Sequence, residues 1–283
     1  LWDSIRYYKS FLHTGFMSIE PSTGYVKAWV GGVNHKHFKF DHVKVGRRQV
    51  GSTFKPFVYA MAIQEGYSPC YQVPNVRTCI ETPGQPAWCP DNSDGDKGTG
   101  KMVTLRYALA GSINYVTAAL MKKFGPDAVI NLVRRMGITA PIEAVPSICL
   151  GTPDISVFEM VAANATFANK GTYIQPTFIT RIEDKNGKVL EEFIPNTDEV
   201  FSEEKAYAMI QLMRGVVDRG TGSRLRGRYK LMNEIAGKTG TTQYNADGWF
   251  MGLTPDLVAG CWVGGEERSV HFNSTNEGQG ASM

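Results

Sequence analysis

A serine and a lysine three residues apart, Ser52 and Lys55 in Ser52-Thr53-Phe54-Lys55, could carry out nucleophilic acyl transfer. On a helix, positions i and i+3 share a face, so the hydroxyl and the amine can meet. A serine hydroxyl is a weak nucleophile until a base removes its proton. Lysine can be that base only if its pKa falls from about 10.4 towards 7, through burial and a nearby positive charge. The site must therefore be dry and must hold a second cation. A helix N-terminus at Ser52 would also leave backbone N–H groups beside the reacting carbonyl.

Two further stretches supply what this pair lacks. Ser112-Ile113-Asn114 opens a predicted helix. Ser112 could relay a proton between Lys55 and a leaving or attacking nitrogen, and Asn114 offers both a donor and an acceptor to a peptide-like amide. Lys238-Thr239-Gly240-Thr241 falls on a predicted strand. Lys238 would be the second cation, and the Thr239 and Thr241 hydroxyls can bind a carboxylate. Gly240 would leave room for substrate backbone running along the strand. Singly, each string has a bland explanation: a surface Ser and Lys, an N-cap serine, a solvated lysine in a turn. Together, in this chain order and on these elements, they describe one site.

The elements that must position these residues can be read from pattern. Residues 15–19 and 25–30 alternate as strands around the turn Pro21-Ser22-Thr23-Gly24. Residues 34–48 read as a loop. After Gly51, the residues Phe54, Phe57, Val58, Met61 and Ala62 recur at helical spacing, with Gly66 as the stop. Residues 67–100, rich in Pro, Gly, Asp and Asn, read as loop. Helices are expected from Thr104, over 114–123, from Pro126 to Met136, over 153–169, and from an N-cap at Ser202 to Asp218. Three strands follow, over 235–242, 248–253 and 257–263. Strands at both ends with helices between predict a mixed α/β fold: one antiparallel sheet built from N- and C-terminal strands, with a helical lobe.

The chain has 283 residues, enough for one large domain, and a formal net charge of +3. That weak charge, with no dense Lys/Arg block, gives no reason to expect a nucleic-acid partner. There is no run of about 18 apolar residues to span a membrane. Five cysteines occur without a C-x-x-C pair or a histidine at zinc spacing, so neither a metal nor another cofactor is expected. Cys79 and Cys89 flank Thr82-Pro83-Gly84-Gln85-Pro86 and could either form a disulfide across a hairpin or remain free thiols.

S-x-x-K, S-D-N and K-T-G are the joint signature of β-lactamases and penicillin-binding proteins. The chain resembles the transpeptidase domain of a class A, bifunctional penicillin-binding protein. The likeness extends to Arg47-Arg48-Gln49-Val50-Gly51 before the nucleophile, to Gly24-Tyr25-Val26-Lys27-Ala28-Trp29-Val30-Gly31-Gly32, to Trp88-Cys89-Pro90-Asp91-Asn92, and to Asp247-Gly248-Trp249-Phe250. The resemblance implies a β-lactamase/transpeptidase-like fold. It also implies a D,D-transpeptidase that cross-links peptidoglycan stem peptides through an acyl-enzyme on Ser52, with an oxyanion hole made by the backbone N–H groups of Ser52 and Thr241, and that is blocked by β-lactams. Residues 1–13 would be a linker from an upstream region and 14–283 the transpeptidase domain, cut short at its C-terminal end. The parent protein would carry a membrane anchor and a glycosyltransferase domain and would work on the extracytoplasmic face of the membrane, with partners in cell-wall synthesis.

Two rivals share the motifs. A serine β-lactamase needs a base to activate water. Glu159 reads as a solvent-facing helical residue and Glu143 lies between Pro141 and Pro146, and neither has a catalytic context. Ile113 in place of the signature's aspartate also argues against a β-lactamase. A non-catalytic β-lactam sensor fits the opening hairpin and the Trp88–Asn92 stretch poorly. Arg48 and Gln49 are expected to pack beside the helix start. Trp88, Tyr115 and Tyr244 are expected as core or edge aromatics rather than as a rim over the cleft.

Overall fold

A computed structural model of the chain describes residues 1–93, 95 and 97–283. Alternation at the two chain ends resolves into one antiparallel sheet. The N-terminal hairpin is β1 (Leu12–Ile19) and β2 (Val26–Val30), and the C-terminal meander is β3 (Ala236–Thr241), β4 (Asp247–Leu253) and β5 (Val258–Gly265). The spatial order is β3-β4-β5-β1-β2. β5 joins the two halves, pairing from Leu12↔Gly265 to Ile19↔Val258. β3 is an edge, so a row of its backbone groups has no strand partner within the sheet. β1 begins at Leu12, inside the stretch read as linker, and the helix α1 (Trp2–Lys9) before it buries none of its residues.

The helical lobe is built around α2 (Lys55–Gln64), which continues a 3-10 turn over Gly51–Phe54. The sequence shows α2 as one apolar face. In the fold Lys55, Pro56, Phe57, Val58, Tyr59, Ala60, Ala62 and Ile63 are all buried, so it is a central helix. Around it lie α3 (Leu105–Ala110), α4 (Asn114–Phe124), α5 (Pro126–Arg135), α6 (Val157–Ala168) and α7 (Glu203–Arg219). The short α8 (Arg224–Gly227) follows α7, and α9 (Thr275–Ser282) lies on the sheet beside Gly248. Thr104 caps α3 through the Tyr107 N–H, and Ser202 stands at the N-cap of α7. α6 crosses β5 so closely that a Cβ at Gly260 would lie 2.5 Å from Val161 Cγ2.

Two regions differ from expectation. Residues 67–100 contain short strands, Gln72–Pro74, Ile80–Thr82 and Gln85–Trp88, whose three or four residues are too few to show alternation among prolines and glycines. Of the two readings for Cys79 and Cys89, the disulfide is the one formed, closing the Ile80–Thr82/Gln85–Trp88 hairpin. A second hairpin, Arg181–Glu183 with Val189–Glu192, has no counterpart in the sequence reading.

His42 stacks on Trp262, with ring centroids 5.0 Å apart, and lies 5.0 Å from the His13 ring. Burial, then His13 and Arg48, pull its pKa down to about 4 against the opposing pull of Asp41 and Glu266. An unfolded-state histidine titrates near 6.5. The stabilisation is therefore complete above about pH 6.5 and is lost as pH falls towards 4, because the unfolded chain binds the proton first. The denaturation midpoint should drop between pH 7 and 5, and His42→Phe should flatten that drop. An identical pH slope in the variant would remove His42 as its source.

Candidate active site

Ser52 sits half-buried in the 3-10 turn that leads into α2, one turn ahead of Lys55. Lys55 is fully buried at the first position of α2, whose other buried residues are apolar or aromatic. Its Nζ donates to the Ser112 carbonyl, to Ser112 Oγ at 3.1 Å and to Asn114 Oδ1 at 2.6 Å. Lys238, also fully buried, donates from Nζ to Ser112 Oγ at 3.0 Å and to the Thr239 carbonyl at 2.9 Å. Two amines thus converge on one hydroxyl. Burial, and then the charge of Lys55, hold Lys238 well below the usual lysine range.

Ser112 occupies the break between α3 and α4 with φ of +57°. A left-handed serine is strained by about 1–3 kcal/mol, and here both its carbonyl and its hydroxyl face Lys55. The Trp88–Asn92 stretch explains how the next turn is held. Asn92 Oδ1 accepts from the backbone N–H of Asn114 at 2.9 Å and of Tyr115 at 3.3 Å, capping α4 from outside the helix. Asn114 Nδ2 donates to the Asp91 carbonyl at 2.7 Å, which orients its Oδ1 towards Lys55.

β3 brings its residues against the nucleophile turn. A Cβ at Gly51, whose φ is +53°, would lie 2.7 Å from the Thr241 carbonyl oxygen and 3.3 Å from its nitrogen. The turn that carries Ser52 therefore lies directly against the Thr241 backbone. Thr241 Oγ1 is buried and makes no hydrogen bond, an available donor of the kind a carboxylate would satisfy. Thr239 Oγ1 instead meets Thr221 Oγ1 at 2.5 Å. Gly240 departs from expectation: a Cβ there would meet Thr53 Cγ2 and Val50 O, each at 2.8 Å, so its bareness admits the nucleophile turn itself.

Glu159 is a further correction. It does not face solvent but is 6% exposed, accepting from the Thr139 and Ala140 N–H groups, the Thr139 hydroxyl, and the Ser156 N–H and hydroxyl. Burial pushes its pKa up, and the hydrogen bonds from Ser156 and Thr139 outweigh that and hold it below the usual value. Glu143 is exposed. Arg48 pairs with Asp247, and Gln49 O accepts from Trp249 Nε1, so both pack beside the helix start. Tyr115 is a core residue at 2% exposure, Trp88 packs partly buried against the core, and Tyr244 stands 82% exposed.

Sequence reasoning missed Thr221 and Asn92. Thr221 lies between Gly220 and Gly222 just past the helix expected to end at Asp218, and no periodicity or motif marks it. Asn92 closes the Trp88–Asn92 stretch, and nothing local to that stretch shows that its side chain caps α4.

A family model, the penicillin binding protein transpeptidase domain, matches residues 14–260, and the chain belongs to that family. Among its relatives are penicillin-binding protein 1A of Aquifex aeolicus, 36% identical over 89% of this chain and 34% of the relative, and penicillin-binding protein 2D of Bacillus subtilis, 36% identical over 92% and 38%. The chain spans little more than a third of the length of these curated relatives. Among solved structures, penicillin-binding protein 1A of Haemophilus influenzae superposes with a TM-score of 0.83 at 25% identity, covering 91% of this chain and 44% of that one. PonA1 of Mycobacterium tuberculosis, solved in complex with penicillin V, gives 0.77 at 28% identity, covering 91% and 70%. The mixed α/β architecture is that of these transpeptidase domains.

Proposed function

We propose that this chain is a D,D-transpeptidase domain that cross-links peptidoglycan stem peptides through an acyl-enzyme on Ser52. The observation that carries this reading is the convergence on the Ser112 hydroxyl of Lys238 and of Lys55, which follows Ser52 by one turn of the same helical segment. Neutral Lys55 takes the Ser52 proton as Oγ attacks the carbonyl of the penultimate D-alanine. The N–H groups of Ser52 and Thr241 hold the oxyanion. The C–N bond then breaks, and the proton passes through Ser112 to the departing D-alanine amine. An amine of a neighbouring stem attacks the ester, its proton returns along the same path, and Ser52 is released. Asn114 contacts the stem-peptide amide, and Thr239 and Thr241 bind the terminal carboxylate. A β-lactam follows the first half only, because its leaving amine remains tethered to the acyl group and obstructs the acceptor.

The hydrolase reading needs a carboxylate free to activate water, and Glu159 is engaged on both oxygens by residues of its own capping box and of the Thr139 turn. The parent protein is proposed to act on the extracytoplasmic side of the membrane, carrying an anchor and a glycosyltransferase domain, with partners in cell-wall synthesis. No helix among the described residues is long and apolar enough to cross a membrane.

Labelling with a fluorescent penicillin tests the assignment. The wild type should give a persistent covalent adduct and Ser52→Ala none. Equal labelling would overturn the role of Ser52, and rapid loss of label would favour a hydrolase. Release of D-alanine from a stem-peptide mimic separates an enzyme from a sensor, which should release none.

A further inference from the structure

We infer that Thr221 is a positioning residue for substrate carboxylate recognition, acting through Thr239. The inference rests on the proposed transpeptidase reading, in which the Thr239 hydroxyl donates to that carboxylate. Thr221 lies well outside the three motifs, at the end of α7, yet its Oγ1 stands 2.5 Å from Thr239 Oγ1. Its placement is fixed from both sides. The Thr221 N–H donates to the Ala110 carbonyl at 3.1 Å, at the end of α3 and just ahead of Ser112. At Gly220 a Cβ would fall 2.2 Å from that same carbonyl oxygen, so only glycine lets the chain approach. The Gly222 N–H returns to the Val216 carbonyl at 2.9 Å. Gly220-Thr221-Gly222 is thus wedged between the Ser112 loop and β3, with Thr221 half-buried and Thr239 almost fully buried.

The physical consequence concerns where one hydrogen points. A hydroxyl has a single donor and two acceptor lone pairs. If Thr239 donates to Thr221, its lone pairs face the incoming carboxylate, and the contact is repulsive. If Thr221 donates to Thr239, the Thr239 hydrogen is released towards the carboxylate. Lys238 bonds the Thr239 backbone carbonyl and leaves that side-chain hydrogen alone. When the anion arrives, Thr221, Thr239 and carboxylate form a chain in which each hydroxyl donates forward, and each link polarises the next. Thr221 therefore biases the donor direction of Thr239 without touching the substrate.

Thr221→Val keeps the shape and removes the hydroxyl, whereas Thr221→Ser keeps the hydroxyl. The probes are benzylpenicillin and its methyl ester, which differ in the carboxylate alone, and the readout is the second-order rate of Ser52 acylation. Thr221→Val should slow acylation by benzylpenicillin about tenfold, the loss of one hydrogen bond to a charge-bearing chain. It should leave the ester rate within about twofold, and Thr221→Ser should restore wild-type discrimination. In a Thr239→Val background the Thr221 change should add nothing further. Equal losses for acid and ester, an unrescued serine variant, or additive losses in the double variant would each overturn the inference. If Thr221→Val does not fold, Thr221→Ala is read by the same acid-to-ester ratio. Failure of the wild type to be acylated at Ser52 would instead sink the transpeptidase reading itself.

Discussion

Lys55→Met should slow acylation of Ser52 by about 10²–10⁴, the range that a positioned general base contributes. Two of the Lys55 Nζ contacts, the Ser112 carbonyl and Asn114 Oδ1, can only accept, so they take two N–H bonds. The third position is an N–H in the ammonium and a lone pair in the neutral amine. Only the second form can take a proton. Two ammonium groups around the one Ser112 hydroxyl disfavour each other in a fully buried site, and burial with the Lys55 charge holds Lys238 well below the usual lysine range. Lys55→Arg should not rescue, because a guanidinium stays charged in proteins. The methionine variant should remain folded, since it fills a similar volume and removes a buried amine. Without the Lys55 charge, Lys238 should also titrate higher, in the direction of an ordinary lysine. A time course of fluorescent-penicillin labelling reads the rate and a thermal melt controls for folding. An arginine variant as fast as the wild type would eliminate Lys55 as the base.

The contrast between Lys55 and Thr221 shows what was legible in the sequence. Ser52 and Lys55 are linked by local helix geometry, and the whole i, i+3 argument survives in a four-letter string. The sheet was readable because alternation is local to each strand, and the union of the two chain ends needed only complementary edges. Thr221 and Thr239 are separated by a helix terminus and a loop, so no periodicity joins them; their contact exists only after α7 packs against β3. The same holds for Asn92, which caps a helix 22 residues downstream. Glu159 was misread for a related reason. Its neighbours Val157, Met160 and Val161 are apolar, and an acid among them looks like the solvent face. Its partners Thr139 and Ala140 come from a different turn and turn the carboxylate inward. Local pattern reveals which element a residue belongs to, and tertiary packing decides what it touches.

Asp247→Ala should cost about 3–5 kcal/mol of stability, the penalty for breaking a buried ion pair from one side. Asp247 has no solvent exposure. Its Oδ1 accepts from Arg48 Nε at 2.7 Å and Trp262 Nε1 at 2.9 Å, and its Oδ2 accepts from Thr242 Oγ1 at 2.7 Å. Alanine would leave Arg48 Nε, an indole N–H and a hydroxyl without their acceptor. Asp247→Asn keeps the volume and one oxygen, and should cost less, about 1–3 kcal/mol. The denaturant midpoint should fall with its slope unchanged, as expected for lost stability without a change in the surface exposed. The effect should also reach the chemistry. Arg48 and Gln49 precede the nucleophile turn, and Gln49 O is held by Trp249 Nε1 at 2.8 Å. Loosening Arg48 releases the approach to Gly51 and Ser52 from β4 and β5. Acylation should therefore slow even at temperatures where Asp247→Asn remains folded, because small displacements of an attacking atom are costly. An asparagine variant that is destabilised yet acylates at the wild-type rate would mean that the carboxylate holds the sheet alone and has no part in placing Ser52.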